Sequence, residues 1–83
     1  MPKVKIDTSK ARAQRRYDYV AGVLSGGFRQ NNLSTDDVSR KTGIPSRTVT
    51  DRLKRPEEIR LKDLYAMADV AGVQIIFRME EVT

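Results

Sequence analysis

The chain has 83 residues, which allows one domain with one small hydrophobic core. It contains neither cysteine nor histidine, so a disulfide-stabilised scaffold is excluded and the commonest catalytic base and the thiol nucleophile are missing. The sequence also lacks an apolar run of the roughly 20 residues that cross a membrane. We therefore expect a cytoplasmic protein that is not an enzyme and that uses no cofactor, metal or membrane.

The net charge of +5 is concentrated in two short segments. Residues 1–16 contain six basic residues and one acidic residue, and residues 40–55 contain the same numbers. The remaining stretches are net acidic. This distribution is typical of a protein that binds a polyanion, although a set of solvated charged surfaces would also produce it.

Residues 1–11 have two interpretations. In the first, they form a basic arm, because three of them are lysines. In the second, they form a short strand, because Val4 and Ile6 alternate with polar residues. The arm would contact a polyanion, whereas the strand would pair with the C-terminal part of the chain.

A helix is predicted from about Arg12, where apolar residues begin to recur at intervals of three and four positions. These residues are Ala13, Tyr17, Val20, Leu24 and Phe28. Gly22, Gly26 and Gly27 each weaken this helix by up to about 1 kcal/mol relative to alanine. They either permit close contact with another helix or mark the point at which the helix frays.

A second helix, over residues 35–42, is predicted from the residues at its two ends. Ser34 and Asp37 stand at the spacing of a capping box, in which each side chain bonds the backbone N–H of the other residue. Gly43 suits the left-handed conformation that commonly ends a helix.

A third helix is predicted over residues 46–55, ending before Pro56, which cannot continue a helix. Val49 and Leu53 give it an apolar side. The rest of its surface carries hydrogen-bonding residues, namely Ser46, Arg47, Thr48, Thr50, Asp51, Lys54 and Arg55. Two helices joined by a glycine turn, the second with a polar and basic outer side, are typical of a helix-turn-helix that reads the major groove of DNA.

Arg47 is the main candidate for base recognition, because its planar guanidinium can bond O6 and N7 of guanine together. The alternative is a contact with phosphate only. Asp51 either accepts a bond from a cytosine amino group or orients Arg47 or Lys54 through an ion pair, and we favour the orienting role. An N-terminal arm could follow the DNA backbone or enter a minor groove. Its cations would be Lys3, Lys5, Lys10, Arg12, Arg15 and Arg16.

The end of the chain predicts a fourth helix and a strand. The helix runs from Leu61 to Ala71 and ends at Gly72, and residues 73–79 are β-branched and roughly alternating. One side of this strand carries Val73, Ile75, Phe77 and Met79. Because a lone strand needs a partner, we expect these four residues to form a homodimer interface. The alternative is a tail that packs on its own core.

The run from Leu33 to Leu53, LSTDDVSRKTGIPSRTVTDRL, resembles the helix-turn-helix of the Cro and phage-repressor (Xre-like) superfamily. Leu61 to Val73 is similar to that family's next helix and its glycine exit, so the resemblance covers roughly residues 12–73. It implies a mainly α fold, with a four-helix core of the lambda-repressor-like type. A C-terminal strand would pair with the N-terminal strand or with a dimer mate.

The resemblance also implies a domain organisation and residue roles. Residues 12–72 would form the DNA-binding domain, and residues 73–83 a strand and tail for dimerisation. Thr35 would meet a phosphate at the start of the second helix. Bases or nearby phosphates would be approached by Ser46, Arg47, Thr50 and Asp51. Arg52 departs from the family pattern, which usually has an apolar or aromatic residue there.

The expected function is that of a transcriptional regulator of phage or mobile-element type, which binds an inverted-repeat operator in double-stranded DNA as a homodimer. Two alternatives stay open. One is an antitoxin that represses its own operon and binds a toxin. The other is a module that keeps the fold but binds another protein.

Overall fold

A computed structural model describes the backbone of residues 4–79 and the side chains of residues 10–79. This part of the chain forms a small, mainly α-helical domain with four α-helices and no strand. The helices are α1 (Val4–Gln30), α2 (Thr35–Thr42), α3 (Ser46–Lys54) and α4 (Leu61–Ala71), and a 3₁₀ helix spans Pro56–Glu58.

Helix α1 begins eight residues earlier than the apolar spacing predicts, at Val4 instead of about Arg12. The prediction of a strand or an irregular arm for residues 1–11 is therefore wrong where the structure describes them. Residues 8–16 contain lysine, alanine, arginine and glutamine, all of which favour a helix. The alternation of Val4 with Ile6 is too short to outweigh this preference. Lys3 lies outside the described residues.

The first half of α1 projects from the rest of the domain. A helix of 27 residues is about 40 Å long, but residues 10–19 are all exposed except Ala13, which is half-buried. The radius of gyration is 15.0 Å, compared with about 12 Å for a spherical domain of this length. The projecting helix explains this difference.

The core is built from one or more apolar side chains of every helix. Val38 of α2, Val49 of α3 and Met67 of α4 are fully buried, and Leu24 and Phe28 of α1 cover them. Burial of side chains of this size contributes about 1.5–3 kcal/mol each. The core therefore fixes α2 and α3 through one valine each and leaves their outer sides in solvent.

The caps of α2 are as predicted. The backbone N–H of Asp37 donates to Ser34 Oγ at 3.2 Å, and the backbone N–H of Ser34 donates to Asp37 Oδ2 at 2.9 Å. The bond from Ser34 and the guanidinium of Arg40, 2.6 Å from Asp37 Oδ1, lower the pKa of the Asp37 carboxyl below its ordinary value. Gly43 ends the helix with φ of 83°, a conformation that costs glycine little. Gly72 ends α4 in the same way, with φ of 75°.

The predicted C-terminal strand is absent from the described part of the chain, where residues 73–79 have no regular secondary structure. A strand needs a neighbour for its N–H and C=O groups, and the N-terminal segment that might pair with it is helical. Val73 and Ile75 pack half-buried on the core. Phe77 is 58% exposed and Met79 is 92% exposed, so the four residues do not share one buried side.

Candidate nucleic-acid interface

Helices α2 and α3 form one unit joined by the turn Gly43–Pro45. Val38 and Val49 bring their inner sides together in the core, and Ile44 in the turn is also buried. Thr42 holds the turn, because its Oγ1 donates to the carbonyl of Val38 at 2.7 Å and accepts from the N–H of Ile44 at 3.1 Å. The unit is thus fixed at both the core and the turn.

A hydrogen bond also joins the first turns of the two helices. Ser46 Oγ donates to Asp36 Oδ1 at 2.7 Å. The sequence does not predict this pair, because its members lie ten positions apart in two different helices. Because a hydroxyl has only one proton, Ser46 can offer only its lone pairs to a further partner while this bond persists.

The outer side of α3 carries the polar stripe that the sequence predicts. Arg47, Thr50 and Lys54 are exposed and Asp51 is half-buried. Their spacing of three, four and seven positions places them on one side of the helix, and Val49, on the opposite side, is 1% exposed. Thr48 lies half-buried beside this stripe. The stripe presents two cations and one hydroxyl to solvent.

Two charged residues of α3 behave differently from the expectation. Asp51 forms no ion pair with Arg47 or Lys54 in the part of the chain that is described, so the favoured orienting role has no geometric support in the free protein. Arg55 caps α3 and pairs with Glu58, with its Nη1 at 3.7 Å from Oε2.

Arg52 faces the 3₁₀ helix. Its side chain is 26% exposed, and its Nη1 lies 3.5 Å from Glu58 Oε1. Its Nε is buried without a hydrogen-bond partner among the described residues. Glu58 therefore pairs with Arg52 of α3 and with Arg55, which follows α3.

The start of α2 is the third part of the site. Thr35 is the first residue of the helix and is exposed. Asp36 and Asp37 follow it, but each carboxylate already accepts a hydrogen bond, from Ser46 and from Ser34 and Arg40 respectively. The capping box uses the N–H groups of Ser34 and Asp37, so those of Thr35 and Asp36 are left to donate to an anion beside Thr35.

The basic residues of α1 form a separate surface. Arg12, Arg15 and Arg16 are exposed and line one shallow depression together with Tyr19 and Val20. Lys10 is exposed two residues before Arg12, and Lys5 lies within α1. The cations that the sequence assigns to an N-terminal arm therefore lie on a helix wherever the structure describes them.

Comparisons of the chain with protein-family models, with curated proteins and with solved structures give no match. The described residues contain no group of acidic side chains that could hold a metal ion. No helix in this part of the chain has the length and apolar character to cross a bilayer. The function is therefore inferred from the chemistry of the surfaces.

Proposed function

We propose that this protein binds double-stranded DNA sequence-specifically and regulates transcription, with α3 as a reading helix in the major groove. The observation that carries the proposal is the stripe of Arg47, Thr50 and Lys54 on the solvent side of a helix whose other side is locked into the core. A reading helix needs this division, because its donors must reach base edges while the domain holds it rigid.

The dimensions of α3 suit this role. An α-helix with its side chains is about 10–12 Å in diameter, and the major groove is about 12 Å wide and admits one helix. The nine residues of α3 extend about 13 Å along the helix axis. We assign Arg47, near the N-terminal end, to guanine O6 and N7. Lys54, near the C-terminal end, is assigned to phosphate, because an ammonium group is a point charge without the planar fork of arginine.

Helix α2 would position α3 on the DNA. Thr35 and the free N–H groups at the start of α2 form a phosphate contact in this proposal. The bond between Ser46 and Asp36 couples that contact to the first residue of α3. A phosphate held by α2 would therefore fix the register of the reading helix.

We also propose that the protein acts as a homodimer on an inverted repeat. Ile76 and Phe77 are exposed and line an apolar groove of about 420 Å³ between α1, α4 and the C-terminal segment, and Met79 is also exposed. Two copies joined at this surface would carry two reading helices, which matches the symmetry of an inverted repeat.

The test compares Arg47→Ala with Lys54→Ala on a selected duplex and on a scrambled duplex of the same length. Arg47→Ala should reduce the free-energy preference for the selected duplex by about 1–3 kcal/mol per half-site, because one base pair in each half-site is no longer recognised. Lys54→Ala should weaken both duplexes equally and leave that preference unchanged. Equal weakening by Arg47→Ala would mean that Arg47 binds only phosphate.

A further inference from the structure

The projecting half of α1 is a charged surface without a partner in the domain. Arg12, Arg15 and Arg16 stand at intervals of three and four positions, so they are neighbours on one side of the helix. Asp18 is the nearest acidic residue on the described part of α1 toward the core, and its Oδ1 accepts a bond from Gln14 at 3.0 Å. None of the three arginines forms an ion pair within the described residues.

This arrangement is unfavourable for an isolated helix. Like charges three or four positions apart destabilise a helix by a few tenths of a kcal/mol per pair. The exposed half also gains almost no burial energy, since of residues 10–19 only Ala13 is half-buried. Both costs would be removed if an anion with several charges lay along this side.

The apolar content of the segment distinguishes between two polyanions. A helix that lies on a membrane surface needs a broad apolar side opposite its cations. Residues 10–19 provide only alanines and two tyrosines as apolar residues, which favours nucleic acid over a lipid surface. Three arginines also suit phosphate groups, which they can bind through two parallel N–H bonds.

The helical conformation restricts the way in which DNA can be contacted. A helix with side chains is about 10–12 Å in diameter, whereas the minor groove of B-DNA is about 6 Å wide. The cations that α1 carries at Arg12, Arg15 and Arg16 therefore cannot enter the minor groove as an extended arm would. They can reach phosphates on the outside of the duplex.

We propose that the side of α1 defined by Arg12, Arg15, Arg16 and Tyr19 is a second, sequence-independent binding site for DNA phosphates. This inference rests on the proposed DNA-binding function and extends it. The arginines supply affinity and salt dependence, and α3 alone supplies sequence preference. The side of α1 acts as a clamp on the backbone beside the bases that α3 reads.

The experiment measures affinity over a range of salt concentrations for the wild type and for Arg12→Gln/Arg15→Gln/Arg16→Gln. Each lost phosphate contact should make the slope of log K against log salt shallower by about 0.9, so the triple variant should lose up to about 2.7 per protomer, and about twice that for a bound dimer. The ratio between a selected duplex and a scrambled duplex should not change. The variant Arg12→Lys/Arg15→Lys/Arg16→Lys should keep most of the slope, because it keeps the charge.

The control is Arg29→Gln/Arg60→Gln/Lys62→Gln, which removes the same charge from exposed positions outside α2, α3 and the projecting half of α1. Thermal melting should show that all variants are folded. If the control changes the slope as much as the α1 variant does, the effect is one of net charge and the inference is wrong. Binding to phosphatidylserine vesicles is measured on the same proteins. If the triple glutamine variant loses vesicle binding but binds both duplexes as the wild type does, this side of α1 binds a membrane and the inference is also wrong.

The same titration separates this inference from the proposed function. A wild type that binds neither duplex at low salt overturns both. A wild type that prefers the selected duplex, with an α1 variant of identical slope, overturns only the inference and leaves α3 as the reading helix.

Discussion

Gly27 of α1 and Ala71 of α4 lie so close together that no side chain fits between them. A Cβ atom on Gly27 would lie 2.6 Å from the carbonyl oxygen of Ala71 and 2.7 Å from its Cβ. Asn31 spans the same point, because its Nδ2 donates to the carbonyls of Gly27 at 2.9 Å and of Ala71 at 3.1 Å. The glycines of α1 thus do not mark a frayed end, since the helix continues to Gln30.

Gly27→Ala should destabilise the domain. The methyl group meets a backbone carbonyl that cannot rotate away, and overpacking of this kind costs about 1–3 kcal/mol. The matched control is Gly26→Ala, because a Cβ at Gly26 meets nothing within 4 Å. This control should raise the free energy of unfolding by up to about 1 kcal/mol through helix propensity. Urea denaturation measures the free energy of unfolding of both variants. Equal changes in the same direction for Gly27→Ala and Gly26→Ala would contradict the close contact.

The capping box of α2 predicts a pH dependence of stability. Because the pKa of Asp37 is lowered in the folded protein, its carboxylate stabilises the fold above the unfolded pKa of about 4. This contribution is lost as the pH falls through the lower folded value. Asp37→Asn should therefore be less stable than the wild type at neutral pH, and the difference should shrink below about pH 4.

Denaturation of the two proteins at several pH values measures this difference. Asp69→Asn is the control, because it removes an exposed carboxylate outside the capping box. A difference between wild type and Asp37→Asn that stays constant with pH would show that the residue acts as a neutral acceptor and not through its charge.

The bond between Ser46 and Asp36 predicts an energetic coupling between α2 and α3. A double-mutant cycle with Asp36→Ala and Ser46→Ala should give a coupling free energy of about 0.5–1.5 kcal/mol, the usual net contribution of a hydrogen bond. Thr35→Ala with Ser46→Ala serves as the comparison cycle and should be additive. Additivity in the first cycle would mean that the 2.7 Å contact does not contribute to the fold.

The proposed dimer depends on the exposed apolar end of the chain. Phe77→Asp should sediment as a monomer at concentrations where the wild type is a dimer, because a carboxylate would have to be buried in the interface. Phe77 also contacts Tyr65 edge-on, with ring centroids 6.1 Å apart, so melting must show that the variant is folded. Gln30→Glu adds the same charge at an exposed polar position outside the groove and serves as the control. Unchanged sedimentation of Phe77→Asp would rule out this interface.

The sequence predicts the elements whose boundaries are determined locally. The limits of α2 follow from Ser34, Asp37 and Gly43, and the end of α4 follows from Gly72, because caps act within one turn. The first half of α1 is different. It has no apolar stripe to reveal it, so only the propensities of its residues indicate a helix.

The remaining errors concern contacts between distant residues. A strand at residues 73–79 depends on a neighbour that the sequence cannot supply, and its alternating pattern alone does not fix its structure. The pairs Ser46–Asp36 and Arg52–Glu58 depend on how the turns place the helices. The outer stripe of α3 was predictable, because assigning Val49 to the core fixes which side of the helix faces the solvent.

Selection of bound duplexes from a randomised library, at low and at higher salt, tests the central claim most directly. We predict enrichment of one inverted-repeat motif, loss of that enrichment for Arg47→Ala at one base pair in each half-site, and an affinity that falls steeply with salt. Salt-dependent binding without an enriched motif would contradict a reading role for α3. Absence of binding even at low salt would contradict DNA binding altogether and would leave a protein, such as a toxin, as the partner to seek.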